Sequence, residues 1–299
     1  MTARAGRYVA GAAAGLALTV SLTGCKADEG NSKASGDGKG GAHLTAAQSA
    51  LAKASEKTGD LKSFRAKLTS ATVVSGNRTD VNGDLTFQLK PKAAMKMDVP
   101  SITTGGKTTS GFNEVLVDNM LYLKIPALTK QAGKPWVGFS LDQLGQAAGI
   151  DVKAMEDQGH QADPALNAKM LTASKDVHKA GKETVGGVST THYTGTIVLT
   201  DALNKLSADQ KTQAQKIFGQ TGLDKLNFDT WIDGKQLPRK LKLATGPASK
   251  VDFNTTMTYT DFNTPVSITA PPKSQVADGM KLKGAPTSVP STSPSSTPS

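Results

Sequence analysis

The chain has 299 residues, a formal net charge of +10 at neutral pH and 5% aromatic residues. Because its first residues read as an export signal and few aromatics are available to stack on bases, nucleic acid is excluded as the expected partner. The scattered lysines favour solubility, or attraction to anionic lipid head groups or cell-wall polymers. The single cysteine excludes an internal disulfide.

A secretory signal and a lipidation site are predicted at the N-terminus. Arg4 and Arg7 precede an uncharged apolar run over residues 8–22, which is shorter than the about 20 residues of a membrane span. The letters LTGC at residues 22–25 resemble the lipobox of bacterial lipoproteins. The thiolate of Cys25 is the nucleophile that would accept a diacylglyceryl group. We therefore predict a lipoprotein, held at the outer face of the cell membrane by palmitate-type acyl chains.

Low-complexity segments flank the part of the chain that can bury a core. Residues 26–42 are rich in Gly, Ser and Lys, and residues 284–299 consist mainly of Pro, Ser and Thr. The predicted organisation is a signal peptide (1–24), a flexible tether (25–42), one folded domain (43–283) and a disordered tail (284–299).

A helix opens the predicted domain. The letters TAAQ at residues 45–48 form a capping-box pattern, and Gly59 is a plausible end of the helix. Apolar residues recur at helical spacing at Leu44, Ala47, Leu51, Ala54 and Leu61.

Alternating strands follow the helix. Residues 64–74 and 78–90 each alternate apolar and polar side chains, with a turn at Gly76 and Asn77 between them. Residues 93–99 continue this alternation, and residues 115–118 and 121–124 form a hairpin around Asp118-Asn119.

Helical segments and a second group of strands complete the domain. Helix starts are predicted at the SLDQ letters of residues 140–143 and at Asp163-Pro164. A further helix is predicted over residues 201–218. The strands are predicted around a Gly186-Gly187 turn and at 226–233, 236–244 and 251–259. Since strands and helices come in separate blocks, the fold class is α+β, a meandering antiparallel sheet with helices on one face and water on the other.

No constellation of residues indicates catalysis. The histidines His43, His160, His178 and His192 lack the close spacing of metal ligands. Neither a nucleophile–base motif nor paired carboxylates stand out. The sequence therefore predicts no enzyme activity, no cofactor and no metal.

The motifs in chain order resemble the LppX/LprA/LprF/LprG lipoproteins of actinobacteria. The resemblance rests on the lipobox and on the segments LKSFRAKLT, VDNMLYLKIP, GKPWVGFS, ETVGGVSTTHYTGTI, TWIDGKQLPRKLKL and YTDFNTPVSITAPP. It implies a LolA-like half-barrel with helices on its concave face, and an apolar cavity that binds or shuttles acylated lipids or glycolipids. The chain departs from the family pattern in its Ser/Thr/Pro tail and in a helical block at 140–175 that is longer than the family's.

Two functions follow from this resemblance. The first is a lipid carrier of the cell envelope, whose cavity would be lined by Phe64, Leu68, Leu85, Phe87, Met95, Met97, Leu121 and Leu123. Such residues form a filled core in most proteins, so the residues alone do not indicate a cavity. The second is therefore an envelope sensor or interaction lipoprotein with a packed core, no lipid ligand and a protein partner.

Overall fold

The computed structural model describes residues 44–74, 76–148, 170–204, 211, 224–246 and 251–282. The predicted signal peptide, Cys25, the tether and the tail lie outside these residues, so the domain boundaries stay predictions. The helices are α1 (Ala46–Gly59), α2 (Pro126–Ala132), α3 (Leu141–Ala148) and α4 (Leu199–Leu203). The strands are β1 (Ser63–Val74), β2 (Asn77–Gln88), β3 (Ala94–Thr104), β4 (Lys107–Val117), β5 (Met120–Lys124), β6 (Trp136–Ser140), β7 (His178–Val185), β8 (Val188–Val198), β9 (Lys225–Asp233), β10 (Pro238–Thr245), β11 (Val251–Thr260) and β12 (Val276–Asp278).

The strands form one open, curved twelve-stranded sheet in the order β12-β6-β5-β4-β3-β2-β1-β11-β10-β9-β8-β7. Strand β1 lies at its centre between β2 and β11. Strands β1 to β6 form one half of the sheet and follow one another from the centre outward. Strands β7 to β11 form the other half and follow one another from the opposite edge back to β1. All neighbouring strands are antiparallel except β12 and β6. The predicted α+β class with a curved antiparallel sheet is confirmed.

The main hydrophobic core lies between α1 and one face of the sheet, which we call the inner face. Ala47, Leu51 and Ala54 of α1 are buried in one cluster with Phe64 and Leu85. The helix begins where predicted. The Thr45 hydroxyl accepts a hydrogen bond from the Gln48 backbone N–H at 3.1 Å, and the Gln48 side chain accepts one from the Thr45 N–H at 2.9 Å.

One residue of the predicted apolar helix face does not contribute to the core. Leu44 is 59% exposed because it precedes the N-cap, where the chain has not yet entered the helix. Leu61 is buried, but it lies after the helix end and not on the helix.

A β-bulge, which we call the bend of the sheet, lies where β2, β3 and β4 meet. The β2–β3 register shifts between Val81 and Asp84, and the extra residue in β3 lies next to Pro100. Gly111 on β4 approaches the same point so closely that a Cβ there would overlap the Val99 carbonyl. A bulge with proline and glycine is a common way to curve a sheet, since proline lacks the N–H that a regular ladder needs.

The face opposite the inner face, called the outer face, is only partly exposed to water. Ala94, Val115 and Ile268 form a second buried cluster there, with Tyr122 and Trp136 packed against it. Ile268 belongs to the segment that follows β11 and leads to β12 at the far edge of the sheet. The expectation of a wholly wet second face is therefore wrong, because this returning segment covers apolar side chains.

The predicted hairpins are confirmed. Asp118 and Asn119 have φ of 50° and 60° between β4 and β5, and Gly186 and Gly187 have φ of 55° and 80° between β7 and β8. The helix start predicted at residues 140–143 is confirmed by α3, which begins at Leu141. The helix start at Asp163-Pro164 lies outside the described residues, as does most of the predicted helix at 201–218.

Candidate functional site

All eight predicted cavity residues share the inner face. Strand register pairs Phe64 with Phe87 and Ala66 with Leu85 across β1 and β2, and the same rows continue to Met95 and Met97 on β3. On β4, Leu116 pairs with both Met95 and Leu121, and Glu114 pairs with both Met97 and Leu123. The inner face therefore continues across β4 to β5. Leu68 follows on β1 at the same period of two.

Four of the eight residues belong to the packed core. Phe64, Leu85, Phe87 and Met97 are between 2% and 8% exposed and contact the cluster that includes α1. The rings of Phe64 and Phe87 stack with centroids 4.6 Å apart. This part of the inner face is filled by the protein's own side chains.

The other four residues are half-buried. Leu68 and Met95 pack against the edge of the core cluster, and Leu121 and Leu123 continue the apolar surface over β5. We call these four residues, together with Leu116 and Phe112 of β4, the apolar strip. Its partial exposure beside the packed core makes it the candidate site for an apolar ligand.

Glu114 is a polar group within this apolar surface that sequence reasoning missed. Its register partners are Met97 on β3 and Leu123 on β5, so its carboxyl lies on the inner face. No hydrogen bond or ion pair joins it to another described residue, and burial raises the pKa of the Glu114 carboxyl above its ordinary value of 4.5. The sequence did contain a signal for this position. Residues 112–117 alternate, and Glu114 occupies a position between Phe112 and Leu116 at which the alternation expects an apolar side chain on the inner face.

A second group of residues not predicted from sequence lies on the outer face of β7 to β10. The His192 ring stacks on Trp231 with centroids 4.3 Å apart, and the Lys240 ammonium lies 4.4 Å from the Trp231 ring centre. His192 Nδ1 lies 2.9 Å from Glu183 and Nε2 lies 2.9 Å from Asp229. The Trp231 indole donates to Glu183 at 2.8 Å. These contacts join the edge strand β7 to β9.

An open cleft lies apart from the predicted residues, between the bend of the sheet and α2. Its volume is about 620 Å³, and none of the eight predicted residues lines it. Three lysines do, Lys124, Lys130 and Lys134.

The described residues contain no group of three or more histidines, cysteines or carboxylates that could hold a metal ion. His178 and His192 are among them, whereas His43 and His160 lie outside. Within the same residues, no helix is both long and apolar enough to span a membrane.

An open antiparallel sheet with a helix on its inner face places the chain in the α+β class of half-barrel folds that the motifs predict. Two solved structures of that class are similar to this chain. Lipoprotein LppX from Mycobacterium tuberculosis is 16% identical with a TM-score of 0.46, over 75% of this chain and 98% of LppX. LprF from Mycobacterium bovis is 14% identical with a TM-score of 0.48, over 75% of this chain and 96% of LprF. Both of these proteins carry names of the group that the sequence motifs resemble.

Two Streptomyces proteins are similar in sequence. An uncharacterized 31.2 kDa protein from the rplA–rplJ intergenic region of Streptomyces griseus is 34% identical over 149 residues, which are 49% of this chain and 48% of that protein. A Streptomyces coelicolor protein named as a proposed lipoprotein is 25% identical over 150 residues, 50% of this chain and 44% of its own length. The chain therefore spans about half the length of the relatives it matches. No model of a known protein family matches it.

Proposed function

We propose that this protein is an extracytoplasmic lipoprotein, anchored to the cell membrane through Cys25, that binds or carries acylated lipids or glycolipids on the inner face of its sheet. The observation that carries the proposal is the apolar strip, a set of half-buried apolar side chains beside a packed core. Burying an acyl chain against it would be favourable by about 25 cal/mol for each Å² of apolar surface removed from water.

Side-chain chemistry of the strip supports this proposal. Met95 brings a flexible thioether that adapts to guests of varying shape. Glu114 supplies one acceptor within the apolar surface, which suits a ligand that carries a hydroxyl near its acyl chains, as a glycolipid does.

The alternative is an envelope interaction lipoprotein with a packed interior and a protein partner. It is favoured by the burial of Phe64, Leu85, Phe87 and Met97, because these residues leave no space at the centre of the inner face. The two proposals differ in what contacts the apolar strip.

Quenching of tryptophan fluorescence by bromine-labelled acyl chains separates them. Met95→Trp on β3 and Leu123→Trp on β5 each place an indole on the inner face. Lys96→Trp, also on β3, places one on the outer face. The native Trp136 and Trp231 provide a constant background. If lipid binds as proposed, a brominated phosphatidylcholine quenches the two inner-face tryptophans and leaves the Lys96→Trp signal at the background level.

Equal quenching of all three variants, or none, would reject the inner-face lipid site. Residues 26–299 serve for this measurement, because they keep every described element and remove the chain's own acyl group. Melting curves of the three variants show whether each still folds.

A further inference from the structure

The cleft at the bend of the sheet is as large as a ligand site. Its volume of about 620 Å³ falls within the range of roughly 300–1,000 Å³ that is usual for such sites. Asp98, Asn113 and Lys124 are consecutive register partners across β3, β4 and β5, and they alternate with inner-face residues. The cleft therefore opens on the outer face, and Phe112 is the one residue of the apolar strip that also lines it.

The charge of the cleft is predominantly positive. Lys124, Lys130 and Lys134 line it, against the single carboxylate of Asp98. Among the described residues, neither Lys124 nor Lys130 forms an ion pair. Lys134 donates a hydrogen bond to the Ser274 carbonyl at 2.6 Å, which holds that lysine beside the segment leading to β12.

The local fold explains why three lysines meet there. Strand β5 ends at Lys124, and α2 begins two residues later with Pro126 at its first position. Gly133 caps the helix after Ala132 with a left-handed φ of 63°, and its N–H donates to the Thr129 carbonyl at 3.0 Å. This turn brings Lys134 back to the same cleft as Lys130.

We propose that this cleft binds a phosphate-bearing ligand. Lysine ammonium groups pair with phosphate oxygens as point charges, and the Asn113 amide and the Ser110 hydroxyl, which also line the cleft, add neutral donors. Phe112, Pro126 and Pro135 form apolar walls that can receive the carbon atoms next to the phosphate. A phospholipid head group and a free phosphate compound share this chemistry.

Two charge-reversed variants with equal net charge test the proposal. Lys124→Glu with Lys130→Glu changes the cleft, whereas Lys182→Glu with Lys225→Glu changes two exposed lysines on β7 and β9 by the same total charge. Residues 26–299 are used for both, so that no acyl anchor contributes. Flotation with phosphatidylcholine vesicles, with and without phosphatidylglycerol, measures head-group binding. Amide NMR shifts on addition of inorganic phosphate measure binding of the free ion.

For a head-group site we expect wild type and the control variant to bind phosphatidylglycerol vesicles alike, and the cleft variant to bind at least about tenfold more weakly. For a free phosphate site, inorganic phosphate shifts the amides of Asn113, Thr129 and Gly133 in wild type and not in the cleft variant, without a difference in vesicle binding. Either result supports the proposal.

Equal loss of vesicle binding in both double variants, together with no phosphate-dependent shift at the cleft, would overturn it, because attraction would then follow net charge alone. If the double cleft variant does not fold, Lys130→Gln replaces it, with Lys182→Gln as its control. Quenching at the inner face is measured separately, so failure here leaves the proposed lipid site standing.

Discussion

At the scale of single residues, Glu114 gives a test that needs no ligand. Because burial raises the pKa of its carboxyl, the group contributes stability while protonated, below its ordinary value of 4.5, and this contribution is lost as pH rises through the raised value. Glu114→Gln removes the cost of burying the charge. We therefore expect the variant to be more stable than wild type at pH 7, with the difference vanishing toward pH 4.

Urea unfolding across that pH range measures this difference. Glu56→Gln, at an exposed position of α1, is the matched control and should follow the wild-type curve. A Glu114→Gln variant less stable than wild type at pH 7 would mean that the carboxylate is paired in solution.

His192 is the second residue whose role can be measured. Substitution by Phe keeps a ring on Trp231 and removes both nitrogen contacts, with Glu183 and Asp229. We expect a loss of about 1 kcal/mol in the free energy of unfolding, since both carboxylates keep partial access to water. His178→Phe, at an exposed position of β7, should change it by less than half as much. A His192→Phe variant as stable as wild type would show that the nitrogen contacts contribute nothing.

At the scale of elements, the bend at Gly111 supports the curvature of the sheet. A Cβ at this position would overlap the Val99 carbonyl, whereas one at Gly181 on β7 would meet nothing within 4 Å. Gly111→Ala should therefore destabilise the fold by roughly 1–3 kcal/mol, as overpacking does, and Gly181→Ala should change it little. Thermal unfolding compares the two, and equal midpoints would show that the bend relaxes freely.

The elements that sequence patterns predicted are those with local signals. The capping box of α1 and the Gly186-Gly187 hairpin depend on neighbouring residues, and both are confirmed. Strand β3 extends beyond its predicted end at Val99 because a bulge accommodates Pro100. Strand β12 went unpredicted because three residues give no period, and its pairing with β6 joins segments more than 130 residues apart.

The site was predictable to the same extent. Alternation placed the apolar residues of β1, β2 and β3 on one face of their own strands, because period two determines the face of every strand residue. It could not separate the packed Phe87 from the half-buried Leu123, since that difference depends on what covers each strand. The cleft was missed because its lysines come from a strand, a helix and a loop, which share no sequence period.

At the scale of the whole molecule, the predicted lipid anchor at Cys25 would determine where the domain acts. We expect Cys25→Ala to abolish lipid attachment, because the chain contains no other thiol. Detergent-phase partitioning and labelling with radioactive palmitate measure this, with Cys25→Ser as a second variant. Retention of label by either variant would contradict the lipobox prediction.

Binding of an acylated lipid on the inner face separates the two proposed functions. Native mass spectrometry of residues 26–299, purified without detergent and incubated with membrane extract, measures this binding most directly. We expect an added mass equal to that of an acylated lipid, removed by organic extraction and reduced in Leu123→Trp but not in Lys96→Trp. A wild-type protein that shows only its own mass, even after incubation with phospholipid or membrane extract, would rule out the inner-face lipid site.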